Sequence, residues 1–227
     1  MPFFGVRPSG RLSVWTVAQF WYSFGFRRER PFRMAVTLDE LEAFAQRIPE
    51  MGGRRIGPFL RDQARQTPPN TSIVELGCWL GAGTAQMALG LRERPEGHGV
   101  TIDCYDNFLI SPASVQKAAR QGVTFTEGQD SLPWVTQALE PFGPGITLHK
   151  GMLTSSVFWS GHPISLYVDD ASKYPWTFYT CLKLFGPSWI PGQTVVVLMD
   201  YWLFKKAHNA HRVDTMRAQY DFITAHP

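Results

Sequence analysis

The chain contains no uninterrupted run of 18 apolar residues, so no segment reads as a membrane-spanning helix. Cysteine is scarce, with three in 227 residues. Cys78, Cys104 and Cys181 lie far apart, with no C-x-x-C or Cys/His ligand spacing. That excludes a disulfide framework or a zinc-ribbon pattern, and small buried thiols in a reducing, cytoplasmic compartment are expected. Charge of one sign is also lacking, because 22 Lys+Arg against 19 Asp+Glu leave a net +3. Without a basic stripe interleaved with aromatics, nucleic acid is disfavoured as a partner. The N-terminus carries Arg7 and Arg11 but no apolar core or small-residue cleavage site, so no signal peptide is read. A G-x-S-x-G elbow is missing, which removes a hydrolase of that type.

What is present is an ordinary globular composition, 44% hydrophobic and 18% charged, with an excess of aromatics at 14%. The length suits one α/β domain plus a small addition. Residues 1–36 form an aromatic N-terminal extension, and residues 37–227 form the domain. Within the extension, Trp15, Val17, Ala18, Trp21, Tyr22 and Phe24 can share a helix face just before Arg27-Arg28. A peripheral membrane contact is one reading of it. Packing on the domain, covering a pocket or meeting a second subunit is the plainer one. A clearer helix follows, with Thr37 as N-cap and Glu40 closing a capping box; Leu38, Leu41, Phe44, Ala45 and Ile48 are expected on one apolar face. A second helix is expected over 56–66.

The stretch TSIVELGCWLGAGTAQMALG, residues 71–90, reads as strand, glycine-rich turn and helix. Its spacing, Glu75-x-Gly77-x-x-x-Gly81-x-Gly83, departs from the G-x-G-x-x-G dinucleotide fingerprint. Further strands are expected over 100–105, 146–151, 164–170 and 194–201, with helical segments within 109–140, near 176–185 and over 205–223. The last strand is nearly all apolar and is expected to be buried on both faces. The pattern predicts a doubly wound, mostly parallel, Rossmann-like α/β sheet. Asp106, Asp169 and Asp200 each end a strand, at the edge where open α/β sheets bind ligands. Asp106 can accept both hydroxyls of a ribose, or else cap the next turn.

VELGCWLGAGTAQMALGL, GITLHKGM, ISLYVDDASKY, the loop Ile190-Pro191-Gly192 and VVVLMDYW occur in an order that resembles class I S-adenosylmethionine-dependent methyltransferases. The likeness is nearest to the small-molecule and sugar O-methyltransferase group. It implies an N-terminal helical cap and a cofactor held by Glu75, Gly77, Trp79, Gly81, Thr84 and Asp106. It further implies Mg2+ as a candidate metal on Asp169 and Asp200, with Asp169 facing the acceptor, a small-molecule or sugar hydroxyl. His149, on the third strand, is the candidate base. Three departures stand against the pattern. Met152 and Leu153 follow Gly151 where an acid is usual, Asp200 stands alone before Tyr201, and the chain after it is short for a C-terminal hairpin. A cofactor-binding scaffold without activity, or a non-methyl reaction on this fold, therefore stays open, as does a homodimer. His208 and His211, three residues apart, read as part of a solvated helix rather than a ligand pair.

Overall fold

Among the described residues the sheet has five strands, all parallel, in the order β3-β2-β1-β4-β5: β1 Ser72–Leu76, β2 Thr101–Asp106, β3 Ile146–Lys150, β4 Ile164–Asp169 and β5 Val195–Leu198. The structure, a computed structural model, describes residues 36–226 apart from 54, 96, 97, 155, 156, 203, 204 and 206–209, and only the backbone of 210–216. The aromatic stretch 1–35, His208 and the side chain of His211 thus lie outside the described residues. No helix among those described is long and apolar enough to cross a membrane.

Among the described residues seven α-helices accompany the strands: α1 Leu38–Ala45, α2 Ile56–Gln66, α3 Ala82–Arg92, α4 Pro112–Ala119, α5 Leu132–Leu139, α6 Pro175–Phe185 and α7 Ala210–Ala225. The strand order reverses at β1, with β2 and β3 on one side and β4 and β5 on the other. Such a reversal leaves a crevice at the carboxyl ends of β1 and β4. Among the described residues no strand follows β5.

Side chains alternate across the sheet, and the two faces build two cores. Ile73, Ile102, Cys104, Leu166 and Val168 pack with α1 to α5, whereas Val74, Leu76, Tyr105 and Tyr167 pack with Cys181 and Phe185 of α6. All three cysteines are buried free thiols, as expected. The Thr37 capping box forms as read, with Thr37 N–H donating to Glu40 Oε2 at 2.8 Å and Glu40 N–H to Thr37 Oγ1 at 3.3 Å. The apolar face of α1 is narrower than expected. Leu41, Ala45 and Ile48 are buried, but Leu38 and Phe44 face solvent, because one short helix on one edge of the core covers only about a third of its circumference.

The fifth strand corrects a second expectation. It is shorter than the apolar run suggests, and its residues are half-buried or exposed, Val195 being 38% exposed. β5 pairs only with β4 among the described residues, so it is an edge strand rather than one covered on both sides.

Helices α2 and α3 pack closely against each other, and Gly90 permits it. A Cβ there would lie 2.1 Å from the Arg61 carbonyl oxygen and 3.1 Å from the Arg65 amide nitrogen. Propensity alone favours alanine over glycine in a helix by about 1 kcal/mol. The backbone clash reverses that sign, and overpacking of this kind costs about 1–3 kcal/mol. Gly90→Ala is therefore expected to lower the urea midpoint of unfolding. An unchanged or raised midpoint would show that the two helices can part without cost.

Candidate functional site

The loop from β1 to α3 turns on three left-handed residues, Gly77 at φ +84°, Trp79 at +48° and Gly81 at +87°. Gly77 is needed for space as well as angle, since a Cβ there would lie 3.0 Å from the Ala171 Cβ and 3.2 Å from the Asp170 carbonyl carbon. Gly81 is the N-cap of α3. Trp79 has no such licence, and a left-handed tryptophan costs about 1–2 kcal/mol. Its N–H donates to Asp106 Oδ2 at 2.9 Å, which offsets that cost. The other oxygen of Asp106 accepts the Phe108 N–H at 2.8 Å, and Phe108 is itself left-handed. Asp106 thus braces two loops at once. Burial raises its pKa, against the opposing hydrogen bonds from the Phe108, Trp79 and Asn107 backbone.

Beneath α3 lies the buried carboxyl of Glu75. Thr84 Oγ1 donates to its Oε2 at 2.5 Å, and the Cys104 thiol lies 3.5 Å from the same oxygen. Gly83 leaves room for the carboxyl, because a Cβ there would come within 2.5 Å of Oε1. Burial pushes the Glu75 pKa up to about 7, with Thr84 and Cys104 pulling the other way.

Above this floor is a cavity of about 390 Å³ at the reversal point of the sheet. Its wall is made by Glu75, Gly77, Trp79 and Gly83 from the β1–α3 region, Val168 and Asp170 from the end of β4, and Met199 after β5. The cap comes from the end of α1 through the start of α2, with Ile48, Glu50, Met51 and Ile56. Gln121 fastens this cap. Glu50 N–H donates to its Oε1 at 2.9 Å, and its Nε2 donates to the Glu50 carbonyl at 2.9 Å. Three acidic residues, Glu50, Glu75 and Asp170, line the space, and no lysine or arginine is among the described lining residues. The indole N–H of Trp79 is buried with no hydrogen-bond partner among the described residues.

The expected site residues divide accordingly. Glu75, Gly77 and Trp79 meet in the cavity wall. Thr84 and Gly81 sit behind it, Thr84 fully buried on Glu75 and Gly81 against Leu139. Asp106 holds the loop from outside the wall. Asp169 and His149 need correction, because they lie on the other face of the sheet. Asp169 is 1% exposed, and its oxygens accept from the N–H groups of Ala171 and Ser172 and from the Ser172 hydroxyl. His149 stacks on Tyr105 with ring centroids 4.3 Å apart, and its Nε2 lies 2.8 Å from Asp103 Oδ1. Strand alternation sends Tyr105, His149 and Asp169 to the α6 side, away from Glu75 and Val168. Asp170, one residue later, returns to the cavity.

The metal expectation also fails on geometry. Asp200 does sit beside Asp170, but the Lys173 ammonium bonds to both, at 3.3 Å from Asp170 Oδ1 and in closer contact with Asp200 Oδ2. Among the described residues no group of three or more His, Cys, Asp or Glu side chains is arranged to hold a metal. Burial works to lower the Lys173 pKa, yet Asp170 and Asp200 outweigh it and hold the amine above its ordinary value. The residues present do not fit Mg2+.

No protein-family model matches this chain, and no curated protein matches it. Among solved structures the chain is similar to the O-methyltransferase NovP, at 13% identity over 80% of this chain and 90% of that one, with a TM-score of 0.49. It is also similar to a SAM-dependent methyltransferase from Geobacter sulfurreducens in complex with S-adenosyl-L-homocysteine. There the identity is 12% over 82% of this chain and 68% of that one, with a TM-score of 0.37.

The Glu75 environment has a consequence for stability. With a folded pKa of about 7 against an ordinary 4.5, the native state binds more protons than the unfolded chain between those values. Stability therefore falls as pH rises from about 4.5 through about 7, where the buried carboxyl is forced to ionise. Thermal unfolding followed from about pH 5 to about pH 8 is expected to decline more steeply for the native protein than for Glu75→Gln. Parallel curves would mean that the carboxyl is not held in its neutral form.

Proposed function

We propose that the chain is an S-adenosylmethionine-dependent methyltransferase acting on a hydroxyl of a small molecule or sugar. The observation that carries this reading is the cavity at the β1/β4 reversal, lined by three acidic residues and by no lysine or arginine among the described residues. A pyrophosphate would meet Glu75 where a dinucleotide site offers only N–H groups. A cationic ligand meets opposite charge there. S-adenosylmethionine supplies a methyl group on a positively charged sulfonium. Glu75, whose ionised form a cation favours, lies in the wall with Asp170, and Ile48, Met51 and Ile56 of the cap add apolar surface beside them. The orphan indole N–H of Trp79 offers one hydrogen bond to an acceptor on the ligand. Asp106, behind the Trp79 loop, keeps lone pairs beyond its backbone contacts, and in this reading it accepts ribose hydroxyls.

Transfer itself needs alignment and a place for the acceptor's proton. Asp170 stands in the cavity wall just after β4, and its pKa is raised by burial, opposed by Lys173. In this reading Asp170 takes the proton that His149 was expected to take. A second reading, cofactor binding without transfer, is favoured by the turning away of both Asp169 and His149. The two part on whether S-adenosylhomocysteine accumulates with an acceptor present.

Calorimetric titration with S-adenosylmethionine and S-adenosylhomocysteine tests the site. Saturable binding is expected with or without chelator. Asp106→Ala, shown to be folded, should weaken it about 10–100-fold, the worth of a hydrogen bond to a charged group. No binding by the folded native protein would end the methyltransferase reading.

A further inference from the structure

The loop after β4 is built to deliver one side chain. Asp169 is spent on it, its carboxylate gathering the N–H groups of Ala171 and Ser172 and the Ser172 hydroxyl. Gln219 of α7, 2% exposed, adds a hydrogen bond to the Ser172 carbonyl at 3.2 Å. Asp170 N–H donates to the Leu76 carbonyl and Met199 N–H to the Asp169 carbonyl, tying the ends of β1, β4 and β5 together. The residue that follows this fixed turn is Lys173, whose ammonium bridges Asp170 in the cavity wall to Asp200 beyond β5. Two carboxylates from adjacent strand ends, converging on one positive charge, form the kind of oxygen pair that a divalent cation would otherwise hold.

We propose that Lys173 is the resident cation of this site, standing between Asp170 and Asp200 in place of a divalent metal. The amine neutralises and positions Asp170 without a dissociable ion, so the cavity keeps its geometry in the absence of any metal. This deepens the reading of the same site given above, but it rests on the carboxylate geometry and is tested without cofactor. Lys173 acts through Asp170 and is a positioning residue.

Binding of Mn2+, a probe with the same preference for oxygen ligands as Mg2+, is measured by electron paramagnetic resonance on the full chain. The native protein is expected to leave the Mn2+ signal free. Lys173→Ala should open the pair and capture Mn2+, Lys173→Arg should not, and Lys173→Ala/Asp200→Asn should lose what Lys173→Ala gained. A merely structural lysine would not produce that pattern. Stoichiometric Mn2+ binding by the native protein that disappears in Asp200→Asn would overturn the proposal. So would a folded Lys173→Ala that gains no Mn2+, and if that variant fails to fold, Lys173→Gln takes its place in the same comparison. Because no arm contains S-adenosylmethionine, failure here leaves the cofactor titration to speak for itself.

Discussion

The carboxylate of Asp106 is the point on which the carboxyl edge of the sheet around the cavity depends. It accepts one backbone N–H from the loop after β1 and one from the loop after β2, and each donor belongs to a non-glycine residue in a left-handed conformation. Strained residues of this kind persist where the surroundings over-determine them. Here a single buried acid does so for both, and the result is a fixed position for Trp79, the aromatic side of the cavity. Asp106 was readable in the sequence as either a ribose acceptor or a turn cap. The structure shows the cap, and the cap is what makes the loop rigid enough to serve a ligand.

Much of the fold was legible because its signals are local. The 71–90 stretch, the Thr37–Glu40 box and the apolar runs of β1 and β4 each carry their own period or capping chemistry, and each forms where expected. What was not legible from local signals depends on neighbours. β5 reads as a buried strand from its composition, yet it sits at the edge of the described sheet, a fact of topology that no window of residues contains. Asp169 and His149 show a different limit. Both end or flank strands at plausible places, and only the side-chain parity, anchored on buried Val168 and Tyr105, tells which face they reach. That parity was in the sequence. Assigning Val168 to the Glu75 face would have turned Asp169 away and brought Asp170 forward.

The electrostatics of the cavity follow from the same parity. Glu75 shares a face with Ile73, so its carboxyl lies in the core under α3, where burial opposes its charge. Gly83 and Thr84 are shaped around it, the first by leaving out a side chain and the second by donating a hydroxyl. A neutral acid in such a place is a latent charge. It costs little while protonated, and a cation entering the cavity above it favours its ionised form. A floor of this kind discriminates by sign, favouring a cation over a phosphate.

Lys173 sets the chemistry available at the mouth of that cavity. An ammonium is a point charge with three donors and no open coordination positions. It can hold two carboxylates apart and keep them ionised, but it cannot polarise a bound hydroxyl as a Lewis acid does. If a methyl group is transferred here, the acidity has to come from the acceptor or from the proton affinity of Asp170. Burial raises that affinity, while the neighbouring lysine limits how far it rises. The balance between those two effects, set by a tethered cation that cannot dissociate, makes the site depend on alignment more than on activation. That demand matches its construction, in which Asp106, Asp169 and Gln121 each spend their hydrogen bonds on holding a loop in place.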